Sequence, residues 1–355
     1  MTLRIGKTLF DIHDGGLALE AAMADYLAPD ACDVDGTATT QITCVLVPGL
    51  THDAPPAGAA GEVRPKKGFT YQRRRLGPQS VYLSGQGYHN DRHIVTQTGR
   101  QFTLIAGTRL YLMLNCLRLM REISRRDWDD TGGHLLHAAA AVDSDGRALL
   151  IIGNKGAGKS SLLMRLCQLG YRYLSNDKCL ISLDGSGAME VTEWPMPARL
   201  GTGTLLAVLG AGRRLDFTRL SRPQKLRPED SADLRINQKV ELTRREILDH
   251  FGLQGAGSRH GVAGCLFPAI DPQGAAATVQ SVAGADHRAV IVENITCLDD
   301  HYPDAWLGLG QAVTPARRAA LAAALAALPC HRVAGDFNGL GLDTLRADLP
   351  AKTHA

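Results

Sequence analysis

Apolar and polar positions along this chain change period several times, and each change predicts an element. Leu17, Ala21, Met23, Tyr26 and Leu27 recur at helical spacing and predict a short helix. Gln41 to Val47 reads as a strand, stopped by Pro48-Gly49. Val81 to Leu83 and His93 to Thr96 predict two more strands. Thr108 to Trp128 is a strong amphipathic helix, with Leu110, Met113, Leu114, Leu117, Met120 and Ile123 on one side, broken by Asp129 to Gly133. Leu135 to Val142 then reads as one buried strand, Asp143 to Gly146 as a turn, and Ala148 to Ile152 as the returning strand of a hairpin. Ser161 to Leu169 is helical, with Gly170 suited to the left-handed position past its end. Tyr171 to Ser175 is a strand ending at Asn176-Asp177, and Cys179 to Leu183 with Ala188 to Val191 makes a second strand pair. Residues 195–230 read as irregular and basic. A strand precedes Phe267-Pro268, Ala289 to Val292 reads as another, and Thr314-Pro315 opens a helix through Leu328. The stretch from about Asp336 is expected to be a loosely held tail.

Between the returning strand and its helix lies Gly153-Asn154-Lys155-Gly156-Ala157-Gly158-Lys159-Ser160, the pattern G-x-x-x-x-G-K-S. Its glycines let backbone N–H groups turn inward around an anion, and the helix start adds partial positive charge. The expectation is a nucleoside triphosphate site running from Gly153 through Ser161. Lys159 would reach the outer phosphates, and the Ser160 hydroxyl would ligate a phosphate-bound Mg²⁺.

Composition narrows the setting. The chain has 355 residues, 45% hydrophobic and 21% charged, the balance of a globular protein. Its net charge of +3 gives no bulk electrostatic case for nucleic acid. No apolar run approaches the length of a bilayer span, and the first residues lack the apolar core of a signal peptide. The eight cysteines are scattered without a C-x-x-C pair, which fits a reducing cytoplasm and packed thiols better than disulfides or zinc. Residues 52–75, with Lys66-Lys67 and Arg73-Arg74-Arg75, read as a solvated basic loop.

Beyond the loop, Asp177 stands at the end of the next strand. A carboxylate there either holds Mg²⁺ or takes the proton of a substrate hydroxyl during phosphoryl transfer, and spacing leaves both roles open. His137 faces the reacting phosphate or packs in the core. Arg199, Arg235 and Lys239 are candidates for neutralising charge on the substrate or transition state.

Four pieces together resemble the HPr kinase/phosphorylase family and its relatives: Leu136-His137-Ala138-Ala139, the turn at Asp145-Gly146, Gly153 to Ser160, and Gly170 to Asp177. Weaker similarity continues at Lys239 to Leu242, Phe251-Gly252, Leu266 to Pro268 and Leu328 to Cys330. The resemblance implies an α/β fold with a P-loop kinase core of the HPr kinase/phosphoenolpyruvate carboxykinase type, and an N-terminal α+β region. It places Lys159 on the phosphates, Ser160 on Mg²⁺, and His137 and Asp177 at the reacting phosphate. Where that family carries two adjacent aspartates, this chain has Asn176-Asp177. The expected domains are 1–130, 131–340 and a tail at 341–355. The expected activity is an ATP- and Mg²⁺-dependent kinase acting on a hydroxyl of a small molecule. The alternatives are a peptide or protein Ser/Thr kinase and a nucleotide-driven switch without an acceptor. No nucleic-acid or membrane partner is expected, and self-association is left open.

Overall fold

The computed structural model describes residues 2–51, 61–66, 68–85, 87–88, 91–130, 133–183, 187–209, 239–271, 274–296, 307–309 and 315–348. It is a mixed α/β structure whose chain divides into two compact units. The first comprises Met1–Gly133 and Thr296–Val313, the second His134–Ile295 and Thr314–Ala355.

The first unit is an eight-stranded sheet with helices on one face. Its strands are β1 (Thr2–Ile5), β2 (Thr8–His13), β3 (Thr40–Leu46), β4 (Glu62–Lys66), β5 (Phe69–Leu76), β6 (Gln79–Ser84), β7 (His93–Thr98) and β8 (Gln101–Ala106), in the order β1-β2-β3-β8-β7-β6-β5-β4. Alternation sets the inward face: Ile42 and Cys44, then Phe102 and Leu104, are buried while their neighbours are not. A short helix α1 (Leu19–Ala24) and the 22-residue helix α2 (Arg109–Asp130) belong to this unit, and Leu112, Cys116, Met120 and Ile123 of α2 are buried. The buried Arg126 pairs with Glu122 at 2.8 Å and donates to the Leu309 carbonyl at 3.1 Å. Gln97 donates to the Leu307 carbonyl at 2.8 Å, so the returning segment is tied to this sheet. The basic stretch is corrected in part. Arg73 to Arg75 lie in β5, paired with Tyr82 to Ser80 of β6, because alternating apolar partners across the hairpin fix the register. Residues 52–60 and Lys67 lie outside the described residues.

The second unit begins with β9 (His134–Leu136) and β10 (Ala138–Val142), followed by β11 (Ala148–Ile152), α3 (Lys159–Gln168), β12 (Arg172–Ser175), β13 (Cys179–Leu183), β14 (Met189–Glu193), β15 (Ala198–Gly201) and α4 (Thr202–Leu209). Then come β16 (Lys239–Leu242), α5 (Arg244–Phe251), β17 (Arg259–Ile270), β18 (Thr278–Ser281), α6 (Arg288–Asn294), β19 (Ile295–Thr296), α7 (Pro315–Ala327), β20 (Cys330–Gly335) and α8 (Leu342–Asp348). Ten strands form one sheet with the path β12-β10-β11-β17-β14-β13-β9-β19, to which β20 and β18 attach through β17. The expected hairpin is present: Ala138 to Val142 pairs antiparallel with Ile152 to Ala148. β11 runs parallel to β17 and is wholly buried, with α3 packing Leu162, Leu163 and Leu166 into the same core as Ile151 and Leu266.

Four expectations are corrected. The apolar run before the turn is two strands, not one, because the chain breaks at His137: β9 pairs with β13 while β10 pairs with β11 and β12. Ala289 to Val292 lies in helix α6, not a strand. Four apolar residues are too few to set a period, and of this helix only Ile291 and Asn294 are buried. An Arg318 guanidinium meets the Val292 carbonyl at 2.6 Å near the end of that helix. Part of the stretch read as irregular is ordered as β15 and α4. The stretch from Asp336 to Asp348 is held, not loose: Phe337, Leu340 and Leu345 are buried in the core beside Leu162 and Val333.

Leu345→Ala should therefore cost about 2–4 kcal/mol, the usual loss for a buried leucine. Urea unfolding checks this, and a change within error would restore the loose tail.

Candidate functional site

β11 delivers Gly153 to the end of a buried strand, and two left-handed glycines turn the chain from there into α3: Gly156 at φ 89° and Gly158 at φ 100°. Gly158 has a second constraint. A Cβ there would lie 2.7 Å from the Ile270 Cβ and 2.9 Å from the Phe337 ring. The loop is closed by Ala157 N–H donating to the Asn154 carbonyl at 3.2 Å, and moored to β17 by Ile270 N–H donating to the Ala157 carbonyl at 3.1 Å. The buried Lys159 ammonium donates to the Gly153 carbonyl at 2.6 Å across the loop. The first helical bond of α3 runs from Leu162 N–H to the Gly158 carbonyl at 2.9 Å, so the amides of Lys159, Ser160 and Ser161 have no partner within the helix. Asn154, Lys155 and Gly156 are exposed, which leaves the loop open to an anion.

Asp177 follows β12 by two residues, and the fold brings it to His137: Nε2 of His137 and Oδ1 of Asp177 are 3.1 Å apart. Both side chains are part-exposed, at 37% and 42%. Burial pushes the Asp177 carboxyl up, but the His137 hydrogen bond and charge, with Lys178 and Lys159, outweigh it and hold the group below the ordinary carboxylate value. Burial pushes the Lys159 ammonium down; the Asp177 carboxylate raises it, Lys239 lowers it, and the result lies below the ordinary lysine value. Lys159 and Asp177 thus act on one another. Beneath β12, the buried Arg244 anchors the approach to Asp177, donating to the Ala256 carbonyl at 2.5 Å and to Glu193 at 3.4 Å.

Of the other expected residues, Ser161 meets the Thr204 hydroxyl at 2.8 Å, which ties α4 to the first turn of α3. Arg199 is exposed and engaged with Glu241 at 2.9 Å along the β15–β16 ribbon, so its charge is already matched. Lys239, at the start of that ribbon's second strand, is exposed and within electrostatic reach of Lys159. Arg235 lies outside the described residues.

The sequence reading missed Asn294. Its carbonyl accepts the His137 N–H at 2.7 Å, and its carboxamide donates to the Val290 carbonyl at 2.7 Å and lies 3.4 Å from Asn154 Oδ1. It joins the strand break to the loop, a role no local pattern announces. Asn176 also gains a physical reason. It is 5% exposed, and its side-chain oxygen is sealed from solvent with no hydrogen-bond partner among the described residues. A carboxylate in that place would be a buried, unpaired charge.

Among the described residues no group of three or more His, Cys, Asp or Glu side chains forms a metal cage. A Mg²⁺ carried on phosphates takes only one or two protein oxygens, and the Ser160 hydroxyl and Asp177 carboxylate are donors of that kind. Among the described residues no helix is long and apolar enough to cross a membrane. No protein-family model and no curated protein matches the chain.

Asn176→Asp tests the account of position 176. The buried acid should have a raised pKa, so the loss of stability is small near about pH 4, where the acid is neutral, and grows as pH rises toward about 8. Thermal melts across that range report it, and an equal loss at both ends would contradict the burial argument.

Proposed function

We propose that the second unit is a phosphotransferase: it binds Mg²⁺-ATP on the Gly153–Ser160 loop and moves the γ-phosphate to a hydroxyl of a small molecule. The observation that carries this reading is the convergence on Lys159 of a carboxylate, Asp177, that His137 keeps ionised. An anion-binding loop alone fits any nucleotide-binding protein. A charged carboxylate within electrostatic reach of the loop lysine is placed to manage a proton or a metal, as phosphoryl transfer to a hydroxyl requires. The resemblance of residues 134–183 to HPr-kinase-like proteins supports the same reading, with an α/β P-loop kinase core.

In this reading the acceptor oxygen bonds to the γ-phosphorus, the bond from that phosphorus to the β–γ bridging oxygen breaks, and ADP leaves with the electron pair. The hydroxyl proton passes to Asp177 and on to water. The lowered pKa makes Asp177 a weak base. That suits a loose transition state, in which the proton leaves late and positioning matters more than base strength. His137 Nε2 carries a proton in its bond to Asp177 and so fixes which carboxylate oxygen faces the hydroxyl. Lys159 shifts from the Gly153 carbonyl to the phosphate and follows the charge as it develops. The Ser160 hydroxyl and the Asp177 carboxylate would hold a phosphate-bound Mg²⁺, which would supply positive charge to the phosphates.

Lys159→Ala should abolish transfer, read as ADP release and phosphorylated product; wild-type turnover would refute the site. Asp177→Asn should lower turnover by about a hundred-fold while the protein still binds ATP in calorimetry, since general-base contributions are of that size. Weakened ATP binding, restored by high Mg²⁺, would instead make Asp177 chiefly a metal ligand. Activity should vanish with a chelator and return with Mg²⁺ or Mn²⁺.

A further inference from the structure

The β15–β16 ribbon stands apart from the two large sheets. Its register sets Lys239 opposite Gly201, and Gly201 runs directly into α4. The Thr204 hydroxyl of α4 meets Ser161 at 2.8 Å, so this end of the ribbon is fastened to the first turn of α3. Through that fastening the ribbon brings Lys239, 80 positions along the chain from Lys159, to the side of the fold where α3 begins. Lys239 is exposed, and among the described residues no carboxylate pairs with it. Its ribbon neighbour Arg199 is matched by Glu241 at 2.9 Å. The same ribbon therefore neutralises one cation and leaves the other, at the end fastened to α3, without a carboxylate partner among the described residues. An unpaired ammonium on this side of the fold attracts an anion.

A nucleoside triphosphate does not use up this positive charge. Its phosphates are served by the loop amides, by Lys159 from within the loop, and by the metal ion that travels with them. Lys239 approaches from outside the loop, on a separate ribbon. We propose that Lys239 is an anion receptor for the acceptor, and that the compound phosphorylated here carries a carboxylate or phosphate group beside its hydroxyl. This rests on the nucleotide reading of the loop given above.

The test separates the acceptor's anion from the nucleotide's own γ-phosphate. The protein is saturated with Mg²⁺ and a non-hydrolysable β,γ-imido analogue of ATP, then titrated by calorimetry with glycerol 3-phosphate and with glycerol. The loaded protein should bind glycerol 3-phosphate and not glycerol. Lys239→Ala should weaken that binding by about five-fold or more, and added salt should weaken it in the wild type, as for an exposed charge contact. Lys239→Gln, which keeps the length of the side chain, should behave like Lys239→Ala, whereas Lys239→Arg should retain binding. The proposal is overturned if the loaded protein binds no anion, if binding is indifferent to position 239, or if Lys239→Ala instead lowers affinity for the ATP analogue by more than about ten-fold, which would assign Lys239 to the γ-phosphate. Failure of the wild type to bind the ATP analogue would remove the nucleotide reading itself, a result distinct from the others.

Discussion

One main-chain hydrogen bond organises the second unit: His137 N–H to the Asn294 carbonyl at 2.7 Å. In sequence, Leu135 to Val142 reads as one strand, and this bond lies at the point where the strand is broken. The bond takes His137 out of the ladder, so β9 pairs with β13 and β10 pairs with β11 and β12. A residue inside a continuous strand would hold its side chain in the packed sheet. At the break, the His137 imidazole is part-exposed and reaches Asp177. The same Asn294 lies 3.4 Å, through its carboxamide, from Asn154 of the loop, so a single residue ties the histidine and the glycine-rich loop to the end of α6.

Charge at this site is arranged by burial as much as by proximity. Asn176 and Asp177 are adjacent, yet one side chain is sealed and the other is open. The sealed one is an amide, which costs far less to bury than an unpaired carboxylate. The open one is ionised and held by His137, with Lys159 and Lys178 nearby. The buried Arg244 reaches β12 through the Leu174 carbonyl at 3.5 Å and also donates to the Ala256 carbonyl and Glu193, and the ring of Tyr173 lies 5.8 Å from its guanidinium carbon.

The first unit follows a simpler logic. Its sheet alternates buried and exposed positions, as expected of a sheet covered on one side, and α2 supplies the covering face. Two ion pairs belong to it: the buried Arg126 with Glu122, and the part-exposed Arg100 with Asp127, which also accepts from Thr8. Ties from Gln97 and Arg126 to the carbonyls of Leu307 and Leu309 make a distant piece of chain part of this unit.

Local sequence determined a good deal. The period of apolar residues located α2, α3, α7 and the strands around the glycine-rich loop, because long regular patterns leave the backbone one way to bury its apolar face. The loop itself was legible, since G-x-x-x-x-G-K-S between strand and helix encodes its own backbone turn and its own cation. Asp177 was legible as a carboxylate just past the next strand, two residues beyond the end of β12. The tertiary structure decided what depends on partners distant in the chain. The break at His137 requires Asn294, the helical state of Ala289 to Val292 requires a surface on which to pack Ile291, and the order in Asp336 to Asp348 requires the core that receives Leu345. Arg199 and Lys239 look alike in sequence; only the ribbon register, which gives Glu241 to one and, among the described residues, no carboxylate to the other, separates them. A side chain's charge is written in the sequence, but whether that charge is matched depends on which elements the fold sets side by side.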